Sequence, residues 1–146
     1  MQLITYISKN ALDLVKDQFG NYVVQYVLDL NYPIVREDLI KEFCGHIATL
    51  STQKFSSNVI EKCLEVATMS VRTMIIEEIM QPTTLSLLLQ DPYGNYVIQT
   101  ALNVATPKQF RDFVEEIKPL LPALRNTPYG KRIQNKISRA DYHHEV

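Results

Sequence analysis

The stretch that decides the fold is QFGNYVVQYVLDL, residues 18–30, because three further versions of it follow in the sequence. They begin at Lys54 (KFSSNVIEKCLEV), Pro92 (PYGNYVIQTALNV) and Pro128 (PYGKRIQNKISRA). The corresponding residues in the four copies are Asn21, Ser57, Asn95 and Lys131. They lie 36, 38 and 36 residues apart. A nearly constant period in this range is typical of solenoid proteins, which stack one supersecondary unit per repeat.

Each copy divides its side chains between two faces of a helix. With a turn of about 100° per residue, the apolar residues of the first copy lie in one arc, which we expect to face the core: Val23, Val24, Val27 and Leu28. The other arc is polar or aromatic, and we expect it to face outward. In the first three copies it holds Asn21, Tyr22 and Gln25, then Ser57, Asn58 and Glu61, then Asn95, Tyr96 and Gln99. Residues at i and i+4 are neighbours on a helix, so one face would carry a polar pair in each repeat.

Length and composition are those of one globular domain. The 146 residues are 46% hydrophobic and 21% charged, and the net charge is −1 at pH 7. This balance argues against a nucleic-acid binder driven mainly by phosphate neutralisation, but it permits one that reads bases by stacking and hydrogen bonding. The sequence has no run of about 18 apolar residues and no signal-peptide pattern. We therefore expect a cytoplasmic protein that makes no contact with a membrane. Cys44 and Cys63 show no CxxC pairing, which predicts free thiols.

The period also divides the chain into units. We predict that residues 1–9 end a preceding repeat, that residues 10–45, 46–81 and 82–118 form three repeats, and that residues 119–146 form a capping repeat and tail. The expected fold is all-α: a right-handed α-solenoid of three-helix repeats, an armadillo-like superhelix. The two extra residues of the middle interval are placed in the segment 81–84.

The two ends of this array are predicted to differ. In the fourth copy Gln134 and Ser138 stand where apolar residues stood before, and a narrower apolar stripe suits a terminal capping repeat. The tail, residues 140–146, shows no pattern. The N-terminal end has no equivalent cap, so we expect the chain to be a segment of a longer array. Self-association through that end is the alternative.

On this period, the motifs FGNYVVQ, FSSNVIEKC and YGNYVIQ, followed by the divergent YGKRIQNKI, resemble the last three repeats and the C-terminal cap of a Pumilio-type (PUF) RNA-binding domain. The resemblance covers nearly the whole chain. It implies that the concave face binds single-stranded RNA with one base read per helical repeat. Family members bind RNA antiparallel to the protein, so the implied core is 5′-UGU-3′, with its first base on the third repeat.

For the first and third repeats the resemblance implies a uracil. The edge of uracil alternates carbonyl acceptors with an N3–H donor, and an amide supplies the complement of both. The amides implied to contact it are Asn21 and Gln25 in the first repeat and Asn95 and Gln99 in the third. The residues implied to stack on base faces are Tyr22 and Tyr96. The alternatives are a solvated helix face for the amides, against which their recurrence argues, and packing between repeats for the tyrosines.

For the second repeat the resemblance implies a guanine. Ser57 and Glu61 would contact its edge, because a carboxylate accepts from the N1–H and N2–H groups together. Asn58 holds the stacking place, and a simple surface residue is the alternative for it. In the fourth copy Arg132 holds the stacking place, where its guanidinium could lie on the first uracil. The residues around Arg132 break the code, so no base is assigned to that copy.

In the resembling family such binding targets messenger RNA, commonly through 3′ untranslated elements, for repression or decay. The implied protein partners are repressor or deadenylase proteins on the outer surface. The competing class is a protein-interaction scaffold of armadillo or HEAT type, in which the same face would grip an extended peptide. A preference for UGU over UCU in RNA would separate the two classes.

No feature of the sequence predicts catalysis, a cofactor or a metal. The chain has no glycine-rich phosphate loop and no nucleophile elbow. The pairs Glu77-Glu78 and Glu115-Glu116 are interpreted as solvated helix faces. His143 and His144 have no third ligand nearby in the sequence. We therefore expect a protein that is not an enzyme and that holds neither a cofactor nor a metal.

Overall fold

The computed structural model describes residues 2–144, with side chains as far as Ser138; Met1 of the predicted preceding repeat and residues 145–146 of the predicted tail lie outside this range. Every regular element in the described range is a helix. The first helix is α1 (Gln2–Lys9). It is followed by α2 (Ala11–Leu14), α3 (Gly20–Asp29) and α4 (Pro33–Phe43). The same order then recurs as α5 (Ile47–Ser51), α6 (Ser56–Val66) and α7 (Met69–Ile79). It recurs again as α8 (Pro82–Leu89), α9 (Gly94–Val104) and α10 (Pro107–Ile117).

The C-terminal end departs from this order. A 3-10 turn (Lys118–Leu120) and α11 (Leu121–Leu124) lead into the last helix, α12 (Pro128–His144). α12 continues to His144 and so includes residues 140–144, for which the sequence predicted no structure. No glycine or proline follows Gly130 in the sequence, so no strong breaker ends the helix earlier.

Prolines and capping side chains fix where the helices begin. Pro33, Pro82 and Pro107 each lie in a first turn, where the missing N–H costs nothing. The carboxylate of Asp17 accepts hydrogen bonds from the backbone N–H groups of Gly20 and Phe19, both at 2.8 Å. These two bonds favour the charged form and lower the pKa of the Asp17 carboxyl.

A carboxylate from the next repeat caps α5. Gly45 has φ of 92°, a left-handed conformation that glycine adopts without steric cost, and the chain turns there between α4 and α5. Glu78 on α7 accepts hydrogen bonds from the backbone N–H groups of Gly45 and Ile47. The interpretation of Glu78 as a solvated side chain is therefore wrong. Its carboxylate meets the positive end of a helix that lies 31 residues earlier in the chain.

The helices stack as an armadillo-like, right-handed α-solenoid. The long helices α3, α6, α9 and α12 pack side by side in sequence order, and each of the short helices α2, α5, α8 and α11 packs on the long helix that follows it. The outer helices α4, α7 and α10 form a further layer behind the long ones. One hydrophobic cluster runs through all the described repeats. The fold predicted from the period is confirmed.

The core arc predicted for the first copy is correct at three of its four positions. Val24, Val27 and Leu28 are buried, but Val23 is 44% exposed. The residues equivalent to Val23 in the later copies are fully buried: Val59, Val97 and Ile133. The difference follows from the stacking, because α6, α9 and α12 each pack on a preceding long helix. Within residues 2–144, α3 has no long helix before it.

Candidate nucleic-acid interface

One exposed side chain on each long helix occupies the stacking position that the sequence predicts. The four residues are Tyr22, Asn58, Tyr96 and Arg132. Tyr22 is 66% exposed and Tyr96 is 44% exposed, so neither ring is buried between repeats. The side chains extend from consecutive helices into solvent. We call the surface that they share with Gln25, Glu61 and Gln99 the long-helix face.

The first residue of each polar pair lies below this surface. Asn21 and Asn95 are 0% exposed and Ser57 is 3% exposed, so the expectation that these three face outward is wrong. A helical wheel assigns a direction to each residue but does not include the loop that precedes the helix. Each of the three residues lies in the first turn of its long helix, where its short side chain is covered by that loop.

Backbone carbonyls of the preceding loop hold Asn21 in place. Its Nδ2 donates to the carbonyl oxygens of Asp17 at 2.8 Å and Gln18 at 3.0 Å. Its Oδ1 accepts from Nε2 of Gln25 at 3.0 Å. Every hydrogen-bonding atom of the buried amide thus has a partner, as burial requires. Both donors of Asn21 are used within the protein, and its oxygen orients Gln25.

The third repeat reproduces this arrangement. Nδ2 of Asn95 donates to the carbonyl oxygens of Asp91 and Pro92 at 2.8 and 2.9 Å, and Nε2 of Gln99 donates to Oδ1 of Asn95 at 3.0 Å. Gln25 and Gln99 are therefore oriented in the same way, and both are half-buried. Each keeps a carbonyl oxygen and a second N–H for a ligand. An acceptor next to a donor matches the N3–H and a carbonyl of uracil.

The second repeat has a carboxylate in place of the amide, and a different residue holds it in position. The Ser57 hydroxyl donates to the carbonyl oxygen of Lys54 at 3.2 Å rather than to the Glu61 carboxylate. Instead, Oε1 of Glu61 accepts a hydrogen bond of 2.7 Å from Oγ1 of Thr100 on α9. An ionised carboxylate only accepts, so this position can pair with neighbouring N–H donors such as those of guanine. Thr100 was not predicted from the sequence, although each copy has a residue at the equivalent place.

A groove on the long-helix face joins the first two repeats. It has a volume of about 360 Å³ and is lined by Tyr22, Gln25, Asn58 and Glu61, among others. The structure thus brings together the stacking and polar positions of α3 and α6. A larger cavity of about 510 Å³ lies between the outer helices α7 and α10 and contains none of the predicted site residues.

Arg132 covers the stacking residue of the third repeat. Its guanidinium carbon lies 5.6 Å from the centre of the Tyr96 ring, and its Nη1 donates to the Tyr96 hydroxyl at 2.7 Å. A guanidinium over an aromatic face is attracted by the ring electrons. A base that entered between Tyr96 and Arg132 would have to displace this contact, and the same guanidinium could then stack on the base.

The remaining predictions about chemistry concern thiols, metals and membranes. Cys44 and Cys63 are free thiols, and burial raises the pKa of both. Within the part of the chain that the structure describes, no three His, Cys, Asp or Glu side chains are grouped so that they could hold a metal ion. The side chains of His143 and His144 lie outside that part. None of the described helices has the length and apolar character needed to cross a bilayer.

The fold and this face define the chain as an α-solenoid of three-helix repeats. Each of its first three long helices carries one half-buried polar residue and one exposed residue at the predicted stacking position. A family model described as "Pumilio-family RNA binding repeat" matches residues 10–44, 46–80 and 87–118. The chain belongs to this family, and the resemblance drawn from its motifs is confirmed.

Relatives with the Pumilio name match over nearly the whole chain. A Pumilio domain-containing protein of Schizosaccharomyces pombe is 51% identical over 138 residues, which is 94% of this chain and 20% of that protein. Pumilio homolog 12 of Arabidopsis thaliana is 41% identical over 136 residues, which is 93% of this chain and 23% of that protein. The chain thus spans about a fifth of the length of these curated relatives.

Solved structures have the same fold. The crystal structure of PUF-8 in complex with PBE-RNA matches with a TM-score of 0.85 and 31% identity, over 94% of this chain and 41% of that one. A mutant of Puf4 bound to a Cox17 RNA 3′ UTR recognition sequence matches with a TM-score of 0.83 and 36% identity, over 93% of this chain and 45% of that one.

Proposed function

We propose that the long-helix face binds single-stranded RNA as the concave surface of the solenoid and selects the core 5′-UGU-3′. The observation that carries this proposal is the repeated amide geometry: Gln25 and Gln99 are held in the same orientation by Asn21 and Asn95. Glu61 replaces the amide in the repeat between them. Two of the structural neighbours, PUF-8 and the Puf4 mutant, have RNA bound, which supports RNA as the ligand.

The uracil positions are assigned to the first and third repeats. Oε1 of Gln25 would accept from the N3–H of a uracil, and its second Nε2–H would donate to a neighbouring carbonyl. Gln99 would do the same for the other uracil. Asn21 and Asn95 belong to the site because they orient these two side chains. A cytosine edge has no N3–H, so it would leave Oε1 of the glutamine without a donor.

The guanine position is assigned to the second repeat. The Glu61 carboxylate would accept from the N1–H and N2–H groups of the base, and neither uracil nor adenine offers that pair of donors. Ser57 keeps an amide oxygen away from Glu61, because an asparagine held as Asn21 is held would direct its Oδ1 acceptor at the carboxylate. Tyr22, Asn58, Tyr96 and Arg132 would lie against the faces of the bases. Stacking on the two tyrosine rings would contribute about 1–3 kcal/mol per base.

The antiparallel strand direction places the first uracil on the third repeat and the last on the first repeat. We propose that the protein acts on messenger RNA in the cytoplasm through 3′ untranslated elements and that it leads to repression or decay. The Puf4 mutant complex, whose ligand is a 3′ UTR sequence, supports this target. Repressor or deadenylase proteins would contact the outer surface, where the cavity between α7 and α10 offers a concave site.

Fluorescence anisotropy with a labelled RNA that carries one UGU tests the proposal. A UCU control RNA should bind more weakly by about 1–3 kcal/mol, or about fivefold to 150-fold, the usual range for one lost bidentate base contact. Equal affinity for the two RNAs would instead favour a protein-interaction scaffold, in which the face grips a peptide.

Exchanging the polar pair of the second repeat for that of its neighbours should exchange the base it prefers. In the double substitution Ser57→Asn with Glu61→Gln, the new amides would repeat the arrangement of Asn21 and Gln25. We expect the middle base to change from guanine to uracil, so that UUU binds more tightly than UGU in the same anisotropy assay. The preferences at the two flanking bases should not change. A double mutant that still prefers guanine would disprove the assignment of these two residues.

A further inference from the structure

We call Gln25, Glu61 and Gln99 the reading residues of the first three long helices. The position directly after this place is occupied by Tyr26, Lys62, Thr100 and Lys136 in the four copies. In the second, third and fourth copies its side chain bonds to the preceding long helix. Lys62 forms a salt bridge of 2.6 Å with Asp29 on α3. Lys136 donates a hydrogen bond of 2.7 Å to Oδ1 of Asn103 on α9. The side chain at this position therefore links one long helix to the one before it.

Thr100 makes the corresponding link to a different residue. Asp29 and Asn103 both lie one helical turn beyond the reading residue of their helix, and the equivalent residue on α6 is Glu65. A lysine is long enough to reach that turn. The short Thr100 side chain instead donates 2.7 Å to Oε1 of Glu61, the reading residue itself. This contact is thus a consequence of the short side chain at position 100.

Each of the three reading residues is held by one hydrogen bond. Gln25 and Gln99 are held from within their own helices, by Asn21 and Asn95. Glu61 has no such support on α6, because the Ser57 hydroxyl is directed to the carbonyl oxygen of Lys54. A glutamate has several rotatable bonds, so without a partner its carboxylate would sample several positions on the surface.

The chemistry of the contact leaves room for a base. Thr100 and Glu61 are both half-buried, and a hydrogen bond from a hydroxyl to a carboxylate is stronger than one between neutral groups. It uses one acceptor site on Oε1 and leaves the second site on that atom and both sites on Oε2. Two N–H donors from a ligand can therefore bind the same carboxylate while Thr100 keeps it in place.

We propose that Thr100 is a positioning residue for the Glu61 carboxylate, so that the third repeat helps to select the base read by the second. This inference rests on the proposed function, in which Glu61 reads the middle base. Removing the hydroxyl should reduce selectivity at that base only. A residue that merely stabilised the packing of α6 against α9 would change affinity for all RNAs alike.

The test compares Thr100→Val, which keeps the shape and removes the hydroxyl, with Thr100→Ser, which keeps the hydroxyl. Affinities are measured for UGU and for RNAs changed at the middle or at a flanking base. We expect Thr100→Val to reduce the preference for guanine at the middle base by about tenfold, the size of one charged hydrogen bond. The flanking uracil preferences should stay the same. Thr100→Ser, which keeps the hydroxyl, should retain the wild-type preference for guanine.

Lys136→Met is the matched control, because it removes the equivalent link to Asn103 in a copy to which no base is assigned. Its base preferences should equal those of the wild type. Circular dichroism checks that each variant is folded, and Thr100→Ala replaces the valine variant if that one is not. If the wild type selects UGU and Thr100→Val selects it equally well, the role of Thr100 is disproved. A wild type with no preference for UGU over UCU would disprove the proposed function, and the role of Thr100 with it.

Discussion

Asn95 shows how a buried amide connects the backbone to the surface at which a ligand would bind. Its Nδ2 group bonds two carbonyl oxygens of the preceding loop, and its Oδ1 holds Gln99. The side chain is 0% exposed, so it carries three hydrogen bonds away from water. Such bonds are costly to break on one side only, because the remaining partners are left without their own.

Truncation of this residue should therefore destabilise the protein. We expect Asn95→Ala to lower the free energy of unfolding by about 2–3 kcal/mol, since it removes buried hydrogen bonds and leaves a cavity. Urea denaturation followed by circular dichroism measures the change. Asn58→Ala is the control: Asn58 is exposed, and its truncation should change stability by less than about 0.5 kcal/mol. Equal effects at the two positions would contradict the structural role of Asn95.

At this scale the sequence predicts the reading and stacking positions but not the contacts that hold them. The spacing of Tyr22, Gln25 and their counterparts follows from helical periodicity, so the exposed side of the helix could be predicted. The burial of Asn21 depends on the loop at residues 17–18, and periodicity contains no information about a loop. The contact between Thr100 and Glu61 spans 39 residues, and it depends on how two repeats are placed against each other.

Short and long helices approach each other closely at a small residue at the start of each long helix. A Cβ atom added to Gly94 would lie 2.9 Å from Cα of Leu88 on α8, a distance at which backbone has to move. The equivalent place on α6 holds Ser56, whose Cβ atom is accommodated and whose hydroxyl donates to the carbonyl oxygen of Leu50 at 2.6 Å. The identity of one side chain thus sets how closely α8 and α9 pack.

The substitution Gly94→Ala should for this reason cost stability, although alanine favours helices more than glycine. Overpacking of this kind costs about 1–3 kcal/mol, and thermal denaturation should show a lower Tm. Ser56→Ala is the matched variant. It keeps the Cβ atom and loses one hydrogen bond, so it should cost about 0.5–1.5 kcal/mol. If Gly94→Ala is as stable as the wild type, the approach of α8 and α9 has more freedom than the distances indicate.

Most helices could be predicted because their starts carry local signals. Pro33 and Pro107 begin outer helices, and Gly45 ends the first of them. The cap on α5 could not be predicted, since Glu78 comes from α7 and local sequence gives no reason to bring them together. The end of α12 was also missed. Its sequence lacks an apolar stripe beyond Ile137, but a helix needs no such stripe to continue.

The stacking of repeats determines what a given core position contributes to the whole molecule. Val59 is 0% exposed between α3 and α6, whereas Val23, at the same place in the preceding copy, is 44% exposed. The hydrophobic contribution of a side chain follows the area that it removes from water. Val59 and Val23 are identical residues at equivalent positions, but they therefore contribute unequally to the free energy of unfolding.

Truncation at these two positions measures that difference directly. Val59→Ala should lower the free energy of unfolding by about 2 kcal/mol, from the loss of two buried methyl groups and the cavity that they leave. In this chain Val23→Ala should lower it by less than half as much. Urea denaturation of both variants provides the comparison. Equal losses would show that Val23 is covered in solution.

At the scale of the whole molecule, the repeat period alone predicts the solenoid and the face that the repeats share. Three copies of one pattern leave few other arrangements, because each helix can bury its apolar side only against its neighbours. The orientation of neighbouring repeats relative to each other could not be predicted from the period. It places Arg132 over Tyr96 and leaves a cavity between α7 and α10, and both depend on angles between helices.

The bonds that fix Gln25 and Gln99 have a consequence for the thermodynamics of binding. A flexible side chain that is immobilised on binding costs about 0.5–1.5 kcal/mol of conformational entropy. In this protein that loss occurs when the chain folds, before any ligand arrives. The surface is therefore preorganised. Warming that loosens the first turns of α3 and α9 should lower the affinity for a ligand at temperatures below those that unfold the protein.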